Sequence, residues 1–195
     1  MGDLLLVRHG QTEWSRTHMH TGRTDVPLTA YGERQAASLA PLLQARDLAA
    51  VWTSPLQRAR RTAELAGATP RVDEDLIEWD NGEYEGRSTA QIREDRAGWW
   101  LWTDGAPGGE DWQQVGARCA RTLERVAPDL ERGDVALFGH GHSLRALAAV
   151  WVGLEAHAGG LFTLDEASLS VLGHYRGHRV VKGWNDVTVH PPEHG

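Results

Sequence analysis

Short apolar runs bounded by glycine and polar residues predict the strands of this chain. The first run, residues 4–7, stops abruptly at Arg8-His9-Gly10. Runs of this length that end in turn residues are typical of buried strands. Further strands are predicted over residues 49–53, 71–72, 133–138, 169–175 and 179–184. The last two flank Gly177-His178 and predict a hairpin.

Between these strands, apolar residues recur at helical spacing. Thr29 can cap a helix that runs to about Arg46, and Ser54-Pro55 supplies a cap and a first-turn proline for the next. Other helices are predicted from the capping box at residues 88–91 to about 96, over about 111–130, and over 144–152 after His142 or Ser143. Residues 15–27 are predicted to be a loop over the end of the first strand. This order of strands and helices favours a doubly wound α/β sheet.

Composition places the chain among single globular domains. Its 195 residues are 41% hydrophobic and 24% charged, and we expect one domain over 1–195 with a loose tail at 186–195. No apolar stretch approaches the about 20 residues of a membrane span, and no signal peptide is evident. The one cysteine, Cys119, lies on the apolar stripe of the long helix and is expected in the core. These features predict a reducing, cytoplasmic location and no membrane partner.

The net charge of −7 counts against nucleic acid as a partner, although a local arginine cluster could still bind a small anion. His18 and His20 lack neighbouring acidic or cysteine ligands, so we expect no metal and no cofactor. The Trp residues of the segment 99–112 predict a partly exposed aromatic surface, which is also a candidate homodimer contact.

Two predicted strands end in histidines beside glycines, at His9 and His140, and Arg58 lies in a first helical turn after a third strand. In a doubly wound sheet these strand ends meet at one edge. A neutral imidazole there can attack phosphorus, while arginines and a second, protonated imidazole neutralise the phosphate oxygens. Glu78, held between apolar neighbours, is expected to have a raised pKa and to donate the proton, but Glu83 and Glu85 remain open alternatives.

The motifs around these residues resemble those of a known family. Arg8-His9-Gly10 followed by Gln11-Thr12-Glu13-Trp14 is similar to the signature of the histidine phosphatase superfamily, also called the phosphoglycerate mutase-like family. Four more blocks match in the family's order: residues 24–29 with Gly32, residues 53–56 with Arg58, residues 76–78 with Gly82 and Gly86, and residues 139–141.

The resemblance implies a three-layer α/β/α sandwich with a mostly parallel central sheet. It implies His9 as the phosphorylated nucleophile and selects Glu78 as the acid over Glu83 and Glu85. The implied catalytic set is His9, Glu78, His140, Arg8 and Arg58. The implied phosphate-binding set is Arg8, Arg58, His140, Gly141, Ser15, Thr21 and Gly22. Ser15 stands where many members have Asn and can still donate one hydrogen bond.

Two features favour a phosphatase over a mutase. His142 stands where mutases have Asn, and it is more similar to acid phosphatases and sedoheptulose-bisphosphatase-like members. Residues 79–139 are acidic and Trp-rich, whereas mutases carry a basic insertion there. We therefore expect hydrolysis of a small phosphorylated metabolite. The alternatives are a cofactor-dependent phosphoglycerate mutase, a metallohydrolase that uses His140, His142, His18 and acidic residues, and a non-catalytic phospho-ligand binding module.

Overall fold

The structure, a computed structural model, describes residues 1–187. A six-stranded sheet forms the centre of this part of the chain. The strands are β1 (Leu4–Arg8), β2 (Leu48–Thr53), β3 (Arg71–Val72), β4 (Asp134–Gly139), β5 (Leu169–Tyr175) and β6 (His178–Asp186). Their order is β3-β2-β4-β1-β5-β6. The four strands from β3 to β1 pair in parallel, and the hairpin β5–β6 adds antiparallel strands at one side. The mostly parallel sheet is confirmed.

Helices cover both faces of the sheet. They are α1 (Glu13–Arg16), α2 (Ala30–Ser38), α3 (Ala40–Gln44), α4 (Gln57–Leu65), α5 (Thr89–Asp95), α6 (Leu101–Asp104), α7 (Trp112–Leu130) and α8 (Gly141–Trp151). Successive side chains of a strand point to opposite faces. Leu4 and Leu6 accordingly belong to the apolar cluster that includes α7 and α8, whereas Leu5 and Val7 belong to the cluster that includes α3 and α4. The three-layer prediction is confirmed.

Several predicted helix caps are present. The Thr29 hydroxyl accepts a hydrogen bond from the backbone N–H of Gly32 at 3.0 Å. Ser88 and Gln91 form the reciprocal bonds of a capping box at the start of α5. Cys119 is buried on α7, as expected, and burial raises the pKa of its thiol to about 12.

Other predicted helix boundaries are wrong. The single helix predicted to Arg46 is interrupted at Leu39, because Pro41 has no N–H to continue the hydrogen-bond ladder. α4 begins at Gln57 rather than at Ser54-Pro55. The Ser54 hydroxyl accepts hydrogen bonds from the Leu56 N–H and from His140 in the turn before the helix. α8 begins at Gly141, three residues before the predicted start and directly after His140. The predicted loop at 15–27 overlaps the end of α1.

The chain end and the hairpin turn also differ in detail from expectation. β6 continues through Asp186, so the predicted tail does not begin there, and residues 188–195 lie outside the described residues. The hairpin turns at Arg176 and Gly177, which have positive φ values of 50° and 82°. Among residues 1–187, the helices are all too short or too polar to cross a membrane.

The predicted exposed aromatic surface is largely buried. Trp99 and Trp102 are 1% and 2% exposed and pack in the core, Trp112 is partly buried, and Trp100 remains 43% exposed. The residue pattern could not show this, because Trp79 and Tyr84, whose rings meet Trp102 and Trp99 edge-on, come from a distant loop.

The carboxyl ends of β1, β2 and β4 lie side by side, as predicted. Arg8 pairs with Gly139, and the His9 N–H donates to the Gly139 carbonyl at 3.0 Å. The turn after β1 lies against the first turn of α2, where a Cβ on Gly10 would come within 2.3 Å of the Gly32 carbonyl oxygen. Because neither glycine has a side chain, α2 can approach closely enough to fix the backbone of His9.

Candidate active site

His9 is placed to act as a nucleophile. Its Nδ1–H donates to the Gly10 carbonyl at 2.7 Å, so Nε2 carries the free lone pair. Burial, followed by the positive charges of Arg58 and Arg8, holds the pKa of His9 well below its usual value. The imidazole is therefore neutral, as expected, and its Nε2 can form a bond to phosphorus.

His140 lies beside His9, with ring centroids 5.3 Å apart, but its charge state differs from the expected one. The Arg58 Nε–H donates to His140 Nδ1 at 3.1 Å, which leaves the proton on Nε2, and Nε2–H donates to the Ser54 hydroxyl at 2.7 Å. Burial and the charge of Arg58 hold the pKa of His140 well below its usual value. The predicted protonated imidazole is thus wrong, and His140 is a neutral hydrogen-bond donor.

Arg58 is fully buried behind the cavity wall and holds the loop before α2. Its terminal nitrogens donate to the carbonyls of Gly22 and Thr24, each at 2.9 Å. Burial lowers the pKa of Arg58, but a guanidinium stays charged in proteins. The charge of this buried guanidinium therefore raises the electrostatic potential at His9 and His140.

Arg8 approaches the site from the end of β1. One terminal nitrogen donates to the Leu164 carbonyl, and the other lies 3.9 Å from the Glu166 carboxylate. Its Nε is buried and has no hydrogen-bond partner among the residues that the structure describes. Arg8 packs against Gly141, where an added Cβ would lie at an ordinary contact distance of 3.5 Å from the guanidinium. An unpaired N–H at this position is available to an anion.

Glu78 is buried and ionised. Its carboxylate accepts hydrogen bonds from the backbone N–H groups of Trp79, His142 and Ser143 at 2.8, 3.0 and 2.8 Å. Burial alone would raise the pKa of Glu78, but the contact with the His142 side chain and these N–H donors hold it well below the usual carboxyl range. The raised pKa expected from apolar neighbours is wrong for the empty site, because helix α8 supplies the donors.

Arg8, His9 and Glu78 meet at an open cavity of about 230 Å³, whereas the buried Arg58 and His140 do not line it. The residues that line it are Arg8, His9, Ser15, His18, Met19, His20, Thr21, Glu78, Thr89, Gly141, His142, Arg145 and Leu164. Among residues 1–187, no cluster of three or more histidine, cysteine or acidic side chains is arranged to hold a metal ion. The alternative glutamates lie elsewhere: Glu83 is exposed, and Glu85 bonds to the backbone of Arg23 and Thr24.

The expected phosphate-binding residues of the 15–22 loop differ in how they meet the cavity. Ser15 and Thr21 line it, but their hydroxyls donate to the carbonyls of Thr12 and Met19 at 3.1 and 3.2 Å. Gly22 does not line it, and its carbonyl accepts the hydrogen bond from Arg58. A Cβ on Gly22 would lie 2.4 Å from a Glu85 oxygen, so this glycine allows the loop to pack closely.

Seven cavity residues were absent from the predicted site: His18, Met19, His20, Thr89, His142, Arg145 and Leu164. His20 and His142 stack at 5.8 Å between ring centroids, and Arg145 lies over the Trp102 ring at 4.6 Å. One signal could have identified Arg145: Gly141 and Arg145 are four residues apart, hence on one face of a helix. The position of His20 depends on the fold of a loop and has no such signal.

Comparison with known proteins gives one family. Residues 4–187 match the model of the histidine phosphatase superfamily (branch 1). An acid phosphatase of Mycobacterium tuberculosis is 41% identical over 179 residues, which cover 90% of this chain and 88% of that protein. Sedoheptulose 1,7-bisphosphatase of Saccharomyces cerevisiae is 38% identical over 183 residues, with 77% of this chain and 67% of that protein covered.

A solved structure agrees with these sequence relatives. It is of a protein from an open reading frame of Mycobacterium tuberculosis, and it superposes with a TM-score of 0.91 at 39% identity. The match covers 94% of this chain and 97% of that one. Fold and sequence therefore point to the same family over almost the whole described chain.

Proposed function

The chain belongs to the histidine phosphatase superfamily and is a phosphatase, and we propose that it hydrolyses a small phosphomonoester through a phosphohistidine at His9. One observation carries the proposal. His9 presents an unprotonated Nε2 at a cavity that the guanidinium of Arg8 and the carboxyl of Glu78 also line. A site that only bound a phosphate would have no need of a buried carboxyl group beside the nucleophile.

In the first step, the Nε2 lone pair of His9 forms a bond to phosphorus while the bond from phosphorus to the leaving oxygen breaks. The electron pair of the broken bond stays on that oxygen, which takes a proton from Glu78. The free Nε–H of Arg8 can donate to a phosphoryl oxygen, and the buried Arg58 adds positive charge from behind the cavity wall. Such donors stabilise the charge that develops in the transition state.

In the second step, water attacks the phosphorus and Glu78, now a carboxylate, takes the proton of that water. The P–N bond breaks, its electron pair returns to Nε2, and orthophosphate leaves. The same carboxyl group therefore serves as acid and then as base, as microscopic reversibility requires of the exchange of one oxygen for another. His9 ends neutral, as it began.

The cavity suits a small substrate. Its volume of about 230 Å³ lies below the range of pockets that hold drug-sized ligands. We infer a small phosphorylated metabolite whose alcohol portion lies among His18, Met19 and Thr89. The lone buried Cys119 supports a reducing, cytoplasmic setting for this activity.

The experiment is hydrolysis of p-nitrophenyl phosphate by the purified chain and its His9→Ala variant. The wild type is expected to release nitrophenol in the presence of a strong chelator, and His9→Ala should show no turnover above the uncatalysed rate. His178→Ala, an exposed histidine of β6, is the matched control and should behave as the wild type. Full activity of His9→Ala would contradict the mechanism, and loss of activity with the chelator would indicate a metallohydrolase.

A second assay separates the phosphatase from the mutase. With 3-phosphoglycerate, in the presence and absence of a bisphosphoglycerate, a phosphatase releases orthophosphate or leaves the substrate unchanged. Conversion to 2-phosphoglycerate that requires the bisphosphoglycerate would contradict the assignment.

A further inference from the structure

The two oxygens of Glu78 differ in how many hydrogen bonds they accept. Oε1 accepts from the backbone N–H groups of Trp79 and Ser143, so both of its lone pairs are used. Oε2 accepts one backbone N–H, that of His142, and keeps one lone pair. A proton on this carboxyl group must therefore reside at the remaining position on Oε2.

The imidazole of His142 lies near that oxygen. Its Nδ1 is 3.5 Å from Oε2, and its ring is held between His20, stacked at 22° between ring planes, and Trp102 at 5.7 Å. The side chain of His142 is 22% exposed, whereas that of Glu78 is 5% exposed. Both side chains line the cavity, and His142 is the more exposed of the two.

Glu78 must carry a proton to act as an acid, but its surroundings favour the carboxylate. The neighbouring His142 side chain, together with the backbone N–H donors, favours its ionised form and holds its pKa well below the usual carboxyl range. A carboxylate in this state has no proton to give when the leaving oxygen departs. An imidazole, in contrast, can hold a proton at pH values at which a carboxylate has lost it.

We propose that His142 is a positioning residue that stores the proton of Glu78 and returns it to Oε2 when substrate binds. The inference rests on the proposed function and extends it to a residue outside the catalytic set. A bound phosphate dianion adds negative charge beside Glu78, which favours the protonated carboxyl group.

The transfer conserves protons and electrons. The N–H bond at Nδ1 breaks, its electron pair stays on nitrogen, and an O–H bond forms at Oε2. Glu78 then gives that proton to the leaving oxygen and later recovers one from the attacking water. The pair of His142 and Glu78 therefore holds one proton at the start and the end of each turnover.

Other charged groups surround the pair. These are His20 from the loop before α5, Arg8 and His9 from the end of β1, Arg58 from α4, Arg118 from α7, and His140 and Arg145 at α8. Burial, followed by repulsion from His142, lowers the pKa of His20 to about 4.

The test is the pH dependence of kcat/KM for His142→Asn with two substrates. The variant keeps the backbone N–H that binds Oε2 but has no ionisable ring. With phenyl phosphate, whose leaving group needs a proton, we expect a loss on the order of tenfold or more at neutral pH. The loss should shrink as the pH falls, because acid restores the proton directly to Glu78, so the alkaline limb moves to lower pH.

With 2,4-dinitrophenyl phosphate, whose leaving group needs no proton, His142→Asn should be nearly as active as the wild type, which also shows that the variant is folded. The matched control is His157→Asn, since His157 contacts Glu155 at 3.3 Å outside the cavity, and its profile should not move. An unchanged profile for His142→Asn, or equal losses with both substrates, would overturn the proposal. A wild-type chain that hydrolyses neither substrate would instead contradict the proposed function.

Discussion

Replacing Glu78 with glutamine keeps the shape of the side chain but removes the proton that it delivers. We expect Glu78→Gln to lower kcat for phenyl phosphate by about 10²-fold or more, because general acid catalysis contributes at least this much. The loss with 2,4-dinitrophenyl phosphate should be much smaller in a single turnover, since that leaving group departs as an anion. Rapid-mixing measurement of the released phenol with both substrates checks this.

The control at this scale is Glu83→Gln, a change at an exposed glutamate outside the cavity. It should leave both rates unchanged. If Glu83→Gln and not Glu78→Gln shows the dependence on leaving group, the assignment of the acid is wrong.

Residue types predicted which side chains meet at the site but not their charge states. The histidines after β1 and β4 lie together because parallel strands end at the same edge, which the strand pattern already indicates. The ionised Glu78 and the neutral His140 depend on donors that are distant in sequence. Helix α8 supplies two N–H groups to Glu78, and Arg58 occupies Nδ1 of His140.

Helix α7 provides a test at the scale of one element. The Asp111 carboxylate accepts from the Gln114 N–H at 2.8 Å and caps the helix. Asp111→Ala should lower the free energy of unfolding by about 1 kcal/mol, whereas Asp111→Asn, which retains a capping oxygen, should lose less. Urea denaturation of both variants measures this difference. Activity should be retained in both, and equal losses of stability would contradict the capping role.

An element was predicted correctly where the residues that signal it are close together in the sequence. Strands β1, β2 and β4 and helix α7 are signalled locally, by apolar runs and by caps. The start of α4 was misplaced because the Ser54 hydroxyl accepts the Leu56 N–H in the turn before the helix, where it also accepts a hydrogen bond from His140. That bond exists only after β2 and β4 pair, so no local pattern could reveal it.

The stability of the whole molecule should depend on pH through its buried histidines. The pKa values of His9 and His140 are lowered in the folded chain, so below a pH of about 6.5 the unfolded chain binds more protons. Acidification should therefore destabilise the fold from that pH downward. Glu78, whose pKa is also lowered, contributes stability that is lost only at more acidic pH, as the pH falls from the usual carboxyl range toward its folded pKa.

Melting temperatures of the wild type and His140→Gln between pH 7 and pH 5 check this dependence. The slope should be smaller in the variant, because one buried group no longer takes up a proton on unfolding. A wild-type melting temperature that rises on acidification, or equal slopes in both proteins, would contradict the assigned neutral state.

The layered architecture as a whole was predictable, whereas the surface was not. Alternating strands and helices predicted the sheet, and the family motifs implied its three layers. The Trp-rich segment packs mainly inward, so the expected homodimer contact would have to rely on Trp100 rather than on a broad aromatic face. The homodimer stays a prediction.

The central claim is that His9 carries the phosphoryl group, and the most direct measurement is a rapid-quench experiment on Glu78→Gln with 2,4-dinitrophenyl phosphate. The first step needs no acid with this substrate, while the second lacks its base, so the phosphoenzyme should accumulate. We predict a burst of dinitrophenolate equal to the enzyme concentration and a base-stable, acid-labile phosphoryl group on the peptide that contains His9. Steady turnover with neither burst nor label, or a label on another residue, would contradict the account.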